Sequence, residues 1–493
     1  MPPSLNSEDA VYGIRMTPEP VATVPVGDGN LDLLAFHRVT GGAPVAVTPD
    51  AGARMEASAK SLTALLEAGT VVYGVTTRYG AGSGDAVAAD QRPAFQLDTL
   101  RSHACGTGPL LSWTEGRGVW LAKLSSLATG RTGAGPDLAR ALTELLNAGL
   151  APAIPQTGSL GASGDLIPSA HAALPLVGEG TVLLGSGDMA DAAHALAERG
   201  IAPVTLGDRD GLSLVNGTAV TLSLAAHACL AAARLAAAAE WLAAAGLEAM
   251  GGHQAAFDPV IAKARPHPGV AEACDSVRAG LIGVDPGRLE TDGIHDSYAW
   301  RCLPQVHGSA RHATAWATET CQIELNGCSD NPIVGDDGSI YSGGNFHAAP
   351  LGLAMEGLRL ASAEVCALSR QRIAQLARRN SGLTMILTSA TASMLEITST
   401  ASATGHWLPV DGVEDHVSNA TLAARRAGEV VRAGWSILAA EAVAVGTTLP
   451  SPPSSIAARW VLGLVDQLPS PLRVDRPLSA SLAALAHALS SGR

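Results

Sequence analysis

Gly158-Ser159-Leu160-Gly161-Ala162-Ser163-Gly164-Asp165-Leu166, GSLGASGDL, places glycines and small residues ahead of an aspartate. Composition alone reads it as a turn, because glycine supplies the backbone conformations that tight turns require. A second reading is chemical. If the amide nitrogen of Gly164 attacks the carbonyl of Ala162, a five-membered ring closes. Loss of water from that ring and from Ser163 leaves an exocyclic methylene, an electron-poor carbon. Protein side chains supply nucleophiles, acids and bases but no comparable electrophile, which is normally borrowed from a cofactor. Glycine permits the fold-back, serine carries the hydroxyl that leaves, and alanine is small enough to be compressed.

The chain around this stretch has 493 residues, enough for two or three domains or one large fold built on oligomer contacts. Much of its apolar content is alanine, which favours closely packed helices. The formal charge of −13 argues against nucleic acid or an anionic membrane as the main partner. The cysteines are scattered without CxxC spacing, as expected of reduced thiols in a cytoplasmic protein. The first residues lack the apolar core of a signal peptide. Thr218 to Met250 is apolar enough to suggest a membrane span. It carries His227, Arg234, Glu240 and Glu248 and is alanine-rich, so a buried soluble helix is the better reading.

The pattern predicts a mainly α chain: a long central helix bundle with a smaller mixed N-terminal region. Residues 1–215 form the mixed part, with a helix near Met55 to Ala68, a glycine-rich loop from Tyr73 to Gly84, and helical pattern from about Phe95. Pro136 suits the first turn of a helix reaching Asn147. Residues 216–493 carry three long helices, about 216–250, 349–379 and 416–445, and a last helix after Ser451–Ser455. Short strands are expected near Val182–Leu184 and Ile340–Tyr341.

General catalytic motifs are missing. Gly161-Ala162-Ser163-Gly164-Asp165 fails the nucleophile-elbow pattern at its last position, and neither a P-loop nor HExxH occurs. No metal-ligand spacing appears, so no metal is expected.

In its wider context the stretch resembles the histidine ammonia-lyase family of aromatic amino acid lyases and aminomutases. GSLGASGDLIPSAH is similar to that family's signature for the methylidene-imidazolone group, MIO. YGVTTRYG from Tyr73 is similar to its tyrosine loop. LRSHACGTG, DGLSLVNGT, HDSYAWRCLPQVHG, ELNGCSDNP, SGGNFHAAP and EDHVS follow in the family's order. The resemblance implies a histidine ammonia-lyase-like helical fold, an MIO made autocatalytically from Ala162, Ser163 and Gly164, a small amino acid substrate, and a homotetramer with shared active sites.

It also implies roles. Tyr73 matches the base that removes the β-proton, although a free tyrosine, with a pKa near about 10, is a poor base at neutral pH. Otherwise it is a loop aromatic. Tyr298 and Arg301 lie three apart, on one face of a helical turn, and Arg301 suits a carboxylate. A surface ion pair is the plainer use of that arginine. Asn216 matches the asparagine beside the prosthetic ring, or it caps a helix. Gln305 and Asn326 match further polar positions of the site, and Phe346 matches an aromatic near the ring, or packs in the core. His103 and Glu414 fall where histidine-specific members face the substrate imidazole. Glu414-Asp415 is alternatively a charged helix start.

Thr76, Arg78, His295 and Trp300 depart from the histidine-lyase pattern, and Thr76 and Tyr79 are closer to some tyrosine aminomutases. The reading is an MIO-dependent ammonia-lyase converting L-histidine to urocanate and ammonia. The first alternative is a 2,3-aminomutase, or a lyase on another aromatic or heteroaromatic amino acid. The second, of another class, is a catalytically silent helical tetramer serving binding or assembly.

Overall fold

The computed structural model describes residues 22–290, 293–398, 416–468 and 477–491. Four long helices organise it: Ala219–Met250, Leu303–Leu325, Ala349–Arg379 and Ala420–Gly446. The first is alanine-rich and buried nearly all round. By length and apolarity it could cross a membrane, but 78 % of its most apolar window is buried inside the fold. It ends at Gly251, whose left-handed backbone (φ 68°) returns its N–H to the Leu247 carbonyl.

Cross-contacts set the direction of each rod. Thr218 bonds Glu324, Cys229 Sγ lies 4.0 Å from Cys321 Sγ, and Glu240 accepts from Arg311 Nε at 2.9 Å. The Leu303 helix therefore runs antiparallel to the Ala219 helix. A side chain on Gly352 would touch Ala420 and one on Gly434 would meet Cys366 and Leu235, while Arg372 pairs with Glu441. The Ala349 and Ala420 helices thus run parallel to the Ala219 helix. The Arg372–Glu441 pair is buried on both sides (Nη2 to Oε2, 3.0 Å), and Arg372 also reaches the Ala239 carbonyl. Small residues, Gly434 and the alanines, let the rods approach closely.

The N-terminal part is mixed, as the pattern predicts. Val24–Val26 pairs in parallel with Val45–Val47, and Thr107–Leu110 pairs antiparallel with Pro155–Thr157. Ala151–Pro152, Thr181–Leu183 and Met189–Asp191 form a small antiparallel sheet. The helix expected at Met55–Ala68 spans Pro49–Glu67, starting from the Thr48 cap. The Trp113–Ala128 helix opens on a capping box of Ser112 and Glu115. Most buried apolar residues of both parts belong to one continuous core, from Val24 to Leu489, with three small clusters beside it.

Candidate active site

The strand Pro155–Thr157 delivers the chain into the Ala162-Ser163-Gly164 turn, and the Leu166–Ala173 helix leads it away. Gly161 (φ 71°) and Gly164 (φ 80°) both have left-handed backbones. A Cβ on Gly161 would collide with Ser418 Oγ, and one on Gly164 with the Gly217 carbonyl. Gly164 and Gly217 face each other as a parallel bridge, and Asp165 N–H donates to the Gly217 carbonyl at 2.8 Å. From the other side Ser418 and Asn419 donate main-chain N–H groups to the carbonyls of Gly161 and Leu160. Small residues occupy these positions because backbone touches backbone on both sides.

The aspartate that closes the stretch is buried. Its Oδ1 accepts from the hydroxyls of Ser159, Thr221 and Thr421, and its Oδ2 from the Thr221 N–H at 2.7 Å. Asp165 thus joins the turn to the first turns of two central rods.

Asn216 precedes Gly217. It is buried, and its Oδ1 has no hydrogen-bond partner among the described residues. Its position is the C-terminal cap of the Asp210–Val215 helix, so it does not act as an N-cap. An unsatisfied buried amide oxygen beside a compressed glycine turn is costly and marks a place for another donor.

Tyr73 is half-buried, and its hydroxyl oxygen accepts the Gly80 N–H at 3.0 Å. Its ring meets Tyr79 edge-on, Tyr79 stacks on Phe95 at 4.8 Å, and the Arg78 guanidinium lies over Phe95 at 5.8 Å. Buried Gln96 ties this loop to the turn. Its Nε2 donates to the Gly74 carbonyl, and its Oε1 accepts from Leu212, one turn before Asn216. His103 ends the Arg92–His103 helix. Its Nδ1 lies 2.9 Å from the Thr99 carbonyl, which can only accept, so Nδ1 carries a proton. Phe346 is half-buried, and the next residue reaches the turn's other wall: His347 Nε2 lies 2.9 Å from His416 Nδ1.

Tyr298 and Arg301 do share a helical turn, Tyr298–Arg301, with the guanidinium stacked over the ring at 4.9 Å. No carboxylate pairs with Arg301 among the described residues, and Tyr298 is 69 % exposed. Their place in the fold is unexpected. Trp300, between them, packs where a side chain on Gly246 would stand, near the far end of the helix that starts at Ala219. At 1.5 Å per residue that is about 40 Å from the turn. Gln305 stands at the same end, in the first turns of the Leu303 helix.

A model of the aromatic amino acid lyases matches residues 31–453. The chain belongs to that family. It is 37 % identical to a histidine ammonia-lyase of Sorangium cellulosum over 92 % of this chain and 94 % of that one. Likewise it is 37 % identical to one of Geobacillus thermodenitrificans over 79 % and 81 %. The structure of tyrosine aminomutase from Streptomyces globisporus superposes with a TM-score of 0.90 at 30 % identity, covering 96 % of this chain and 97 % of that one. Histidine ammonia-lyase from Trypanosoma cruzi gives 0.86 at 27 %, covering 96 % and 94 %.

In this carbon–nitrogen lyase the described candidates therefore divide. Ala162, Ser163, Gly164, Asn216, Tyr73 and Phe346 connect to one end of the bundle through the contacts above. Tyr298, Arg301 and Gln305 stand at the other. Asn326 lies at the turn's end of the Leu303 helix, where its amide bonds main chain. Oδ1 accepts the Leu31 N–H at 3.0 Å, and Nδ2 donates to the carbonyls of Leu31 and Gln322. It pins the N-terminal segment to the bundle. Glu414 lies outside the described residues. The sequence reading missed Gln96, Lys123, the hydroxyls of Ser159, Thr221 and Thr421, and Asp330. A lysine inside the apolar run Gly118–Leu127 was the one visible signal among them. Asp330 is buried and accepts from Arg209, Ser213 and its neighbour's N–H.

Proposed function

We propose that this chain is an MIO-dependent ammonia-lyase acting on L-histidine and releasing urocanate and ammonia, in the cytoplasm and without a metal. The observation that carries the reading is the orphaned Oδ1 of buried Asn216 beside a turn whose glycines leave no room for a side chain. That is the cradle a compressed Ala162-Ser163-Gly164 ring fits. The 37 % identity to proteins named histidine ammonia-lyase supports the substrate.

The methylidene carbon of the ring supplies an electrophile for the substrate amine. Tyr73 removes the β-proton, with its oxygen held by the Gly80 N–H. Arg301 clamps the carboxylate with its fork of donors, and Tyr298 backs that fork. His103, through Nε2, and Glu414 hold the imidazole, and Phe346 packs against the reacting groups. The separation of Arg301 from the turn supports a homotetramer in which each site takes Tyr298, Arg301 and Gln305 from a neighbouring copy. Holding substrate between copies contributes through proximity, which matters because a β-proton is not acidic.

The Arg78–Phe95–Tyr79–Tyr73 stack favours a second reading, an aminomutase. A loop clasped by stacked rings would hold the unsaturated acid long enough for ammonia to re-add. The deciding experiment is a panel of histidine, tyrosine and phenylalanine, assayed for unsaturated acid, ammonia and β-amino acid. Urocanate and ammonia from histidine alone are expected. A β-amino acid as main product would select the second reading, and no turnover of any aromatic or heteroaromatic amino acid would overturn both.

A further inference from the structure

Lys123 stands in the middle of the Trp113–Ala128 helix and is buried. A buried ammonium is costly unless its protons are well placed. Among the described residues its hydrogen bonds go to main-chain oxygens: the Ser213 carbonyl at 2.8 Å and the Asn216 carbonyl at 2.6 Å. Burial lowers its pKa from the ordinary lysine value; Asp330, Cys328 and Asp165 pull the other way and favour the ammonium, and Arg209 opposes it. Asp330 is engaged by Arg209 and Ser213, and Asp165 by three hydroxyls and an N–H. Neither carboxylate accepts a hydrogen bond from the lysine.

The Asn216 carbonyl belongs to the peptide that joins Asn216 to Gly217. Lys123 grips that peptide at its oxygen. On the other side of Gly217 lies the turn, with Gly217 N only 2.8 Å from where a Gly164 Cβ would stand. A cation on a peptide oxygen also strengthens the N–H of the same peptide as a donor. We infer that Lys123 is a positioning residue for the self-modification of the turn. By fixing the Ser213 and Asn216 carbonyls it braces Gly217 against Gly164, the contact that holds the triplet in the fold-back needed for ring closure. This rests on the reading of Ala162-Ser163-Gly164 as the source of the ring.

The step it serves balances without any co-reactant. A bond forms from the Gly164 nitrogen to the Ala162 carbonyl carbon, and the Gly164 amide proton passes to the Ala162 oxygen. That oxygen leaves as water with the Ser163 amide proton, so a carbon–nitrogen double bond forms between Ala162 C and Ser163 N. The Ser163 hydroxyl leaves as a second water with the Ser163 α-proton, creating the methylene. Nothing is oxidised or reduced overall. Lys123 touches none of these atoms.

The test is intact-mass analysis of the freshly purified full chain, followed over time, for wild type, Lys123→Met, Lys123→Gln and Lys123→Arg, with thermal melts as a fold control. Wild type should have lost two waters. Lys123→Arg keeps a charge and several donors and should lose both. Lys123→Gln has two donors but no charge, and its rate of water loss should fall about tenfold or more. Lys123→Met should remain largely undehydrated. If Lys123→Met does not fold, the Gln variant decides. Folded Gln or Met variants that dehydrate as fast and as completely as wild type would overturn the inference, as would a folded Arg variant that stays undehydrated. A wild-type chain with no water loss would instead overturn the reading on which the inference rests.

Discussion

The two ends of the central bundle are built differently. At the Gly164 end, backbone meets backbone: Gly161 and Gly164 leave no space for a Cβ, and polar atoms of Asp165, Gln96 and Lys123 are used to fix main chain. At the Arg301 end, side chains face outward: Tyr298 is exposed, and Arg301 has no carboxylate partner among the described residues. The first end is a finished mould, the second an unfilled hand. The difference teaches where each set of groups acts. A mould must be complete within the chain that is shaped in it, whereas under the proposed homotetramer a hand serves a neighbour.

The largest expected effect breaks the first end. Ser163→Ala removes the hydroxyl that must leave, and turnover should fall by about a thousandfold or more, beyond about 4 kcal/mol in the barrier, with no mass loss and an unchanged melt. Arg301→Ala should also be nearly inactive while still losing two waters. Co-assembled in equal amounts, the two inactive variants should regain about a quarter of wild-type activity, because random mixing in a symmetric oligomer pairs a good turn with a good arginine at that frequency. Activity of the mixture no higher than the sum of its parts would place both groups within one chain and erase the contrast.

The next effect sharpens the role of what lies between. Arg372 and Glu441 are a fully buried pair along the rods. Arg372→Met strands the carboxylate and should cost about 3–5 kcal/mol of stability in denaturant titration. Replacing Glu441 with leucine as well should recover most of that loss. Water loss at the triplet should be unchanged in the folded fraction.

The smallest effect concerns acid. His227 lies on the Ala219 helix beside a cavity of about 290 Å³ whose wall also carries His37, Glu115, Arg234, Arg425 and Arg432. Its Nε2 has no hydrogen-bond partner among the described residues. Burial lowers its pKa from 6.5 to about 4, with His37 and Arg234 adding to the shift and Glu115 opposing it. The folded value is below the unfolded one. The neutral imidazole therefore costs nothing above about pH 6.5, and stability falls as pH drops from there toward 4, by about 2–3 kcal/mol. His227→Leu should flatten that part of a Tm-against-pH profile. An unchanged slope would assign acid sensitivity to other groups.

Much of this was legible in the sequence. The Ala349–Arg379 helix, the Pro136–Asn147 helix and the Ile340–Tyr341 strand fall where proline, glycine and apolar spacing place them. The Ala219 and Ala420 helices begin three and four residues later than expected, because Asn216 to Thr218 and His416 to Asn419 press against the turn instead of entering a helix. The Leu303–Leu325 helix escaped notice. It is half-exposed, and its threonines and histidines blur the apolar stripe. The hold of Asn326 on the N-terminal segment was not legible either. Its partner, Leu31, is remote in sequence, and hydrogen bonds from side chain to distant main chain leave no local pattern. The same holds for Gln96 and Lys123. Nor could spacing reveal that Arg301 stands about 40 Å from the turn, since that depends on which part of which rod Trp300 packs against.

The Ala219 helix is also a dial. Each residue added to it between Ala219 and Gly246 lengthens it by about 1.5 Å and turns everything beyond by about 100°. One inserted alanine would leave composition and burial almost untouched, yet turn Tyr298 and Arg301 to another side of the bundle. Seven would restore the direction to within about 20° while overshooting by about 10 Å. The fold therefore ties the direction of that end to the number of residues in this helix as well as to their kind.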